Sequence, residues 1–206
     1  MALKTFVKVN SITHLTDARY CAGMYVDLLG FALEKSNQKY VSPEQFQEIT
    51  GWIAGASICG EFESSSAAEI IDQLAHYPGL TAIQHSDLDV LTALKDQELE
   101  LIWKADIATV SGKENDLGPI LRENSIQVLL SSASDEVKKE EVEVIREFAD
   151  YAPVILGFGL SPELVNELLE NLPIKGLALD GGEEIKPGLR DFEQMAELLE
   201  LLEVED

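Results

Sequence analysis

The sequence has 206 residues, enough for one domain with a sizeable core but short for an eight-unit α/β barrel, which usually takes about 250. Its 38 acidic side chains against 15 basic ones give a net charge of −23, which argues against nucleic acid and anionic membranes as partners, because both need a basic surface. The content of 46% hydrophobic residues, the two cysteines (Cys21 and Cys59) and the lack of a bilayer-length apolar run predict a single-domain protein of the reducing cytoplasm.

The chain reads as strands alternating with helices. The first strand is expected at residues 5–9, reached from Met1 without a cleavable signal pattern, and an amphipathic helix follows at 15–22. A strand at 28–33 leads to a helix at 43–50, whose start is marked by Ser42 as cap, Pro43 in the first turn and Gln45 at the third position. A strand at 54–59 precedes a helix at 67–76, announced by the capping box Ser66-Ala67-Ala68-Glu69. Strand 81–84 pairs with helix 88–94. Strand 99–104 pairs with 116–123, where Gly118-Pro119 rules out a long helix. The last three units are strand 127–131 with helix 135–150, strand 153–156 with helix 162–171 (opened by Ser161-Pro162), and strand 176–179 with helix 191–202. The strands are short apolar runs, as expected when both faces are buried. Eight strand–helix units predict a closed (β/α)8 barrel, with a doubly wound open sheet as the alternative. Most of the excess acid falls on helices, which reads as solvated helix faces.

In a barrel, function sits at the C-terminal strand ends. Those positions hold Asn10, Glu34 to Lys39, Cys59 to Glu61, His85 to Asp87, Asp106, Ser131 to Ser134, Gly157 to Gly159 and Asp180 to Glu184. The last of these, Asp180-Gly181-Gly182-Glu183-Glu184 and then Pro187-Gly188-Leu189-Arg190-Asp191, is a glycine turn and acid-tipped loop expected to run straight into a helix, a layout in which backbone amides hold a phosphate.

Five segments, in order, carry a resemblance. Val7-Lys8-Val9-Asn10-Ser11-Ile12-Thr13 is similar to V-K-I-C-G-I-T. Gly30-Phe31 with Lys39-Tyr40-Val41-Ser42-Pro43-Glu44-Gln45 is similar to G-F…R-Y-V-S-P-E-Q. Ile83-Gln84-His85-Ser86-Asp87 is similar to Q-L-H-G-D, and Leu156-Gly157-Phe158-Gly159-Leu160-Ser161-Pro162 to L-A-G-G-L-T-P. Gly181-Gly182-Glu183-Glu184 with Pro187-Gly188-Leu189-Arg190-Asp191 is similar to S-S-G-V-E…P-G-x-K-D. Together they resemble the phosphoribosylanthranilate isomerase family of tryptophan biosynthesis. The resemblance implies a (β/α)8 barrel and an aldose–ketose (Amadori) isomerisation of a phosphorylated aminoribose, with an acid to open the ring and a base to take the C2 proton; no cofactor is expected, and no His, Cys or Asp spacing resembles a metal motif.

The departures fall on the chemistry. Asn10 stands at the family's Cys base, and an amide is no general base. Ser131 stands at the family's Asp acid in Val128-Leu129-Leu130-Ser131-Ser132. Lys39 replaces the Arg expected to meet the anthranilate carboxylate, keeping charge but losing the fork. Asp180 and Glu183 replace a Ser and a Val at the phosphate turn, leaving the backbone amides of Gly159, Gly181 and Gly182 to hold a phosphate; Phe158 replaces a Gly in the loop before it. The reading is a family barrel that has lost the isomerisation. The alternatives are a working isomerase of this or another phosphosugar using His85, Cys59 or Asp180, a different barrel activity on a less anionic substrate, and a non-catalytic barrel for a small phosphorylated or carboxylated ligand or for a protein.

Individual residues carry competing meanings. His85 is a polar contact or base at the mouth, or a histidine bonded at a strand end. Cys59 is a substitute thiolate or an inert buried residue. Lys8 shares the inward parity of Asn10 and needs a partner, with Asp180 the candidate and a Schiff-base role the lesser alternative. Glu34, Glu61 and Asp106 read as unconnected solvated acids, His14 and His76 as surface residues.

Overall fold

The computed structural model describes residues 2–181, 183–186, 189–191 and 193–204. Eight parallel strands close on themselves: β1 (Phe6–Asn10), β2 (Leu28–Ala32), β3 (Ser57–Glu61), β4 (Ala82–His85), β5 (Glu100–Asp106), β6 (Ile126–Ser131), β7 (Val154–Leu156) and β8 (Gly176–Asp180). Closure rests on β1 pairing with both β2 and β8, the latter from Phe6↔Gly176 to Asn10↔Asp180. An open sheet is thereby ruled out.

The helices of the barrel are α1 (Leu15–Gly23), α2 (Pro43–Thr50), α3 (Ala67–Leu74), α4 (Leu88–Ala93), α5 (Ile107–Val110), α6 (Glu114–Glu123), α7 (Lys139–Ala149), α8 (Val165–Asn171) and α9 (Glu193–Leu202). Both expected serine caps form: Ser42 accepts from Gln45 N, and Ser66 with Glu69 makes the reciprocal capping box.

Alternation along each strand divides the core. Every strand gives a residue to an inner cluster, among them Leu28, Cys59, Ala82, Ile102 and Leu129. The opposite parity, including Val9, Phe31, Ile83 and Val128, packs against the helices. There Phe46 sits edge-on to both Phe31 and Tyr77, each pair at 5.2 Å between ring centroids, and each worth about 0.5–1.5 kcal/mol beyond its buried area.

Five expectations are corrected. The third strand starts at Ser57 rather than residue 54, because the chain turns at Gly55 with φ +92° before entering the sheet. The helix around Gly118-Pro119 runs ten residues with Pro119 inside it. Gly118 lets Tyr151 lie against it, since a Cβ there would fall 2.3 Å from the ring. The helix expected from residue 135 begins at Lys139, because Ser134 Oγ accepts from Glu136 N and donates to Glu136 O, holding that stretch in a local turn. Residues 162–164 form a turn, and the helix proper starts at Val165. Finally, the acid-tipped segment does not run straight into a helix. It forms an antiparallel hairpin, β9 (Glu183–Lys186) with β10 (Leu189–Asp191), before α9.

Candidate active site

The β1 end of the mouth is a closed polar chain. Lys8 is 0% exposed and its Nζ lies 2.5 Å from Glu61 Oε1. The same ammonium donates to Asn10 Oδ1, and Asn10 Nδ2 donates to Asp180 Oδ1 at 3.1 Å. The second Glu61 oxygen accepts from Ser11 N (3.1 Å) and Ser11 Oγ (3.0 Å). Gly30 makes room for this: a Cβ there would stand 1.9 Å from Glu61 Oε1. The lumen lysine is thus neutralised by Glu61, not by Asp180, and Glu61 is a buried structural acid rather than a solvated one.

The two positions aligned with the family's acid and base are both engaged. Asn10 uses its carbonyl toward Lys8 and its amide nitrogen toward Asp180, which fixes its orientation. Half-buried Ser131 donates to Ala105 O at 3.2 Å. Its neighbour across the β5–β6 ladder, Asp106, accepts from Thr109 N (3.1 Å) and Thr109 Oγ1 (3.2 Å), capping α5.

The ends of β6, β7 and β8 border a cavity of about 350 Å³ whose walls include Ser132, Ser134, Gly159 and Asp180. Asp180 is exposed there. Gly159 has φ +67°, and a Cβ would reach within 2.8 Å of Val137 Cγ2, so the turn needs glycine twice over. The Gly181 amide, expected to serve a phosphate, donates instead to Asn10 O at 3.1 Å. Gly182 lies outside the described residues. Phe158 is buried in the outer core and forms part of the cavity wall.

His85 is almost fully buried with both ring nitrogens occupied. Nδ1 accepts the Asp87 N–H at 2.8 Å, which assigns the proton to Nε2, and Nε2 donates to Ser65 O at 3.0 Å. It ties β4 to the loop before α3. Glu34 anchors the same loop by accepting from Ser64 N (2.8 Å) and Ser65 N (2.5 Å). Burial pushes the Glu34 carboxyl up, yet the hydrogen bonds from Ser65 and Ser64 outweigh it and leave it below its usual value. Cys59 lies in the inner cluster, and desolvation pushes its thiol up to about 12 despite nearby Lys8, so it supplies no thiolate near neutrality. Lys39 is exposed in the loop between β2 and α2, with its backbone N–H on Asn37 Oδ1. Beside that loop Glu34, Tyr40, Ser65, His76 and Tyr77 border a second cavity, of about 710 Å³. His14 and His76 are exposed.

Two inward residues went unnoticed in the sequence: Gln84 on β4 and Lys104 on β5. Both share the parity of the inner cluster, Gln84 two residues beyond Ala82 and Lys104 two beyond Ile102. That alternation is the signal that could have found them. Among the described residues no three His, Cys, Asp or Glu side chains are grouped as metal ligands, and no helix is long and apolar enough to cross a membrane.

Comparison with known proteins follows the same outline. A family model described as N-(5'phosphoribosyl)anthranilate (PRA) isomerase matches residues 7–201. A relative from Thermotoga neapolitana named N-(5'-phosphoribosyl)anthranilate isomerase is 28% identical over 200 residues, covering 94% of this chain and 96% of its own. The crystal structure of phosphoribosyl anthranilate isomerase from Thermotoga maritima superposes with a TM-score of 0.77 at 21% identity, covering 96% of this chain and 98% of that one. Another crystal structure of such an isomerase, in complex with reduced 1-(o-carboxyphenylamino)-1-deoxyribulose 5-phosphate, gives 0.76 at 20% identity over the same shares. At these identities the structural likeness speaks for the fold.

Proposed function

The chain belongs to the N-(5'-phosphoribosyl)anthranilate isomerase family, and from that premise we propose that it keeps the barrel and a small-ligand site at its mouth without performing the family isomerisation. The observation that carries this is Asn10: the side chain at the base position is an amide with both ends hydrogen-bonded, and it cannot take a proton from C2 of a sugar. At the acid position Ser131 points its hydroxyl at a backbone carbonyl. General acid and general base help is worth about 10²–10⁴ in rate for each group, so the loss of both takes the reaction toward background.

The phosphate end is weakened as well. Gly181 spends its amide on Asn10 O, and Asp180 brings a carboxylate to the cavity wall. A carboxylate about 4 Å from a phosphate opposes it by about 1–4 kcal/mol per charge pair, against about 0.3–1 kcal/mol for a favourable helix end. The ligand class supported is small, hydroxylated and anionic, in line with the carboxylated sugar phosphate bound by a relative. Two buried free cysteines fit a reducing compartment such as the cytoplasm.

A second reading is favoured by one observation: Asp180 is an exposed carboxylate at the mouth, 3.1 Å from Asn10 Nδ2, where a substitute base would stand. Assaying the purified chain and its Asp180→Asn variant with N-(5'-phosphoribosyl)anthranilate separates the two. No turnover by either supports lost isomerisation; turnover by the wild type that disappears in the variant supports the second reading.

A further inference from the structure

We infer that Gln84 and Lys104, on the β4–β5 wall of the mouth, form a binding site for a hydroxylated carboxylate of the sugar-acid type. The inference rests on the reading above that the mouth holds a small ligand, and it identifies which one. In the β4–β5 ladder Gln84 pairs with Ile102, so Lys104 stands one inward position higher on the adjacent strand. With strands about 4.8 Å apart and a rise of about 3.3 Å per residue, such neighbours lie about 8 Å apart, a gap that long side chains span.

Both groups lack partners. Gln84 is 5% exposed, and its Oε1 is buried without a hydrogen bond among the described residues. A buried acceptor left this way is a standing cost of the ligand-free fold, relieved when the amide turns Oε1 toward a ligand that donates to it. Lys104 is half-buried, and its side chain makes no hydrogen bond or ion pair among the described residues. The lysines at either end of the barrel differ: Lys8 is held by Glu61, and Lys175 donates to Gln127 Oε1 at 2.7 Å and lies 4.1 Å above the Phe6 ring centroid. The nearby acids are already committed, Glu61 to Lys8 and Ser11, Asp106 to Thr109.

The complement follows from the two groups. Gln84 Oε1 requires an N–H or O–H donor; the Lys104 ammonium favours an anionic oxygen. A phosphate monoester, close to dianionic near neutrality, offers acceptors only. A neutral polyol offers donors but leaves the ammonium unpaired. A hydroxyl beside a carboxylate supplies both at short separation, the hydroxyl donating to Gln84 Oε1 and the carboxylate accepting from Lys104 Nζ. The neighbouring cavity at the ends of β6–β8 is walled by Ser132, Ser134 and Asp180, groups that suit hydroxyls and repel a second anion. The anionic end of the ligand therefore points to β5 and not to the β7–β8 end where the family resemblance would place it.

Calorimetric titration with D-gluconate, ribitol and methyl phosphate, a monoester with no carbon-borne hydroxyl, tests this. Gluconate is expected to bind at least about tenfold more tightly than ribitol or methyl phosphate, and Lys104→Met and Gln84→Met are each expected to weaken it about tenfold or more. In thermal melts without ligand, Gln84→Met is expected to raise Tm, since it removes the orphaned acceptor; saturating gluconate is expected to reverse the order. Gluconate binding no tighter than ribitol, equal binding by wild type and both variants, or no binding at all overturns the inference, as does a ligand-free Tm that is unchanged or lower in Gln84→Met. None of these results alters the isomerisation assay, so failure here is distinguishable from failure of the functional reading.

Discussion

On the β1–β3 side of the mouth, Lys8, Asn10, Ser11, Glu61 and Asp180 form one connected chain of hydrogen bonds and an ion pair. On the β4–β5 side, an amide oxygen and an ammonium face the lumen with no partner among the described residues. Both sets are built by the same inward parity in one barrel. The first arc uses its polar groups to hold the barrel together, and the second leaves them without a partner among the described residues. That contrast moves attention away from the positions where family chemistry would be expected and toward the adjoining wall, where Gln84 is paired in register with Glu61.

The contrast can be broken most severely at Glu61. Glu61→Gln leaves Lys8 buried without a counter-charge and is expected to cost about 3–5 kcal/mol, read from the urea midpoint. Replacing Lys8 and Glu61 together by Met is expected to recover most of that loss. Gly30→Ala strikes the same arc sterically, since the new Cβ must displace the Glu61 carboxylate; about 1–3 kcal/mol is expected, and Gly30→Ala in the Lys8/Glu61 double-Met background is expected to cost a different amount, because the two sites touch.

Glu34 sharpens the comparison through pH. Its folded-state value lies below the usual 4.5, so its contribution is fully present above that value and is lost as pH falls through the lowered one. Glu34→Gln is expected to lower the urea midpoint near neutrality, with the gap to wild type shrinking in strong acid. A gap that is constant across pH would exclude an ionised Glu34 as the loop anchor. The smallest effect is expected at the open side: Asp180→Asn, an exposed residue with one weak contact, is expected to shift stability by no more than about 0.5 kcal/mol.

The strands were legible because a strand buried on both faces shows as an apolar run, and Leu28, Ile83 or Leu129 cannot be hidden in a loop. The capped starts of α2 and α3 were legible because Ser42 and Ser66 act on residues three positions away. What depended on distance along the chain was not. The parity of Lys8 could be read, but its partner lies 53 residues on, and nothing local separates Glu61 from Asp180 as that partner. The same holds for His85, whose ring is claimed by a backbone carbonyl 20 residues earlier, and for the Gly181 amide, taken up by Asn10 across the β1–β8 seam. The hairpin of β9 and β10 was missed because its acidic residues imitate a solvated loop. The inward placement of Gln84 and Lys104 was available in the alternation of their strands, whereas the lack of a partner for Gln84 is a property of the assembled barrel.

The most direct test of the central claim is the initial rate of N-(5'-phosphoribosyl)anthranilate isomerisation by the wild-type chain. With Asn10 and Ser131 at the positions of base and acid, the rate is expected to equal that of the buffer control. Turnover near about 10 s⁻¹, ordinary for an enzyme, would contradict the account.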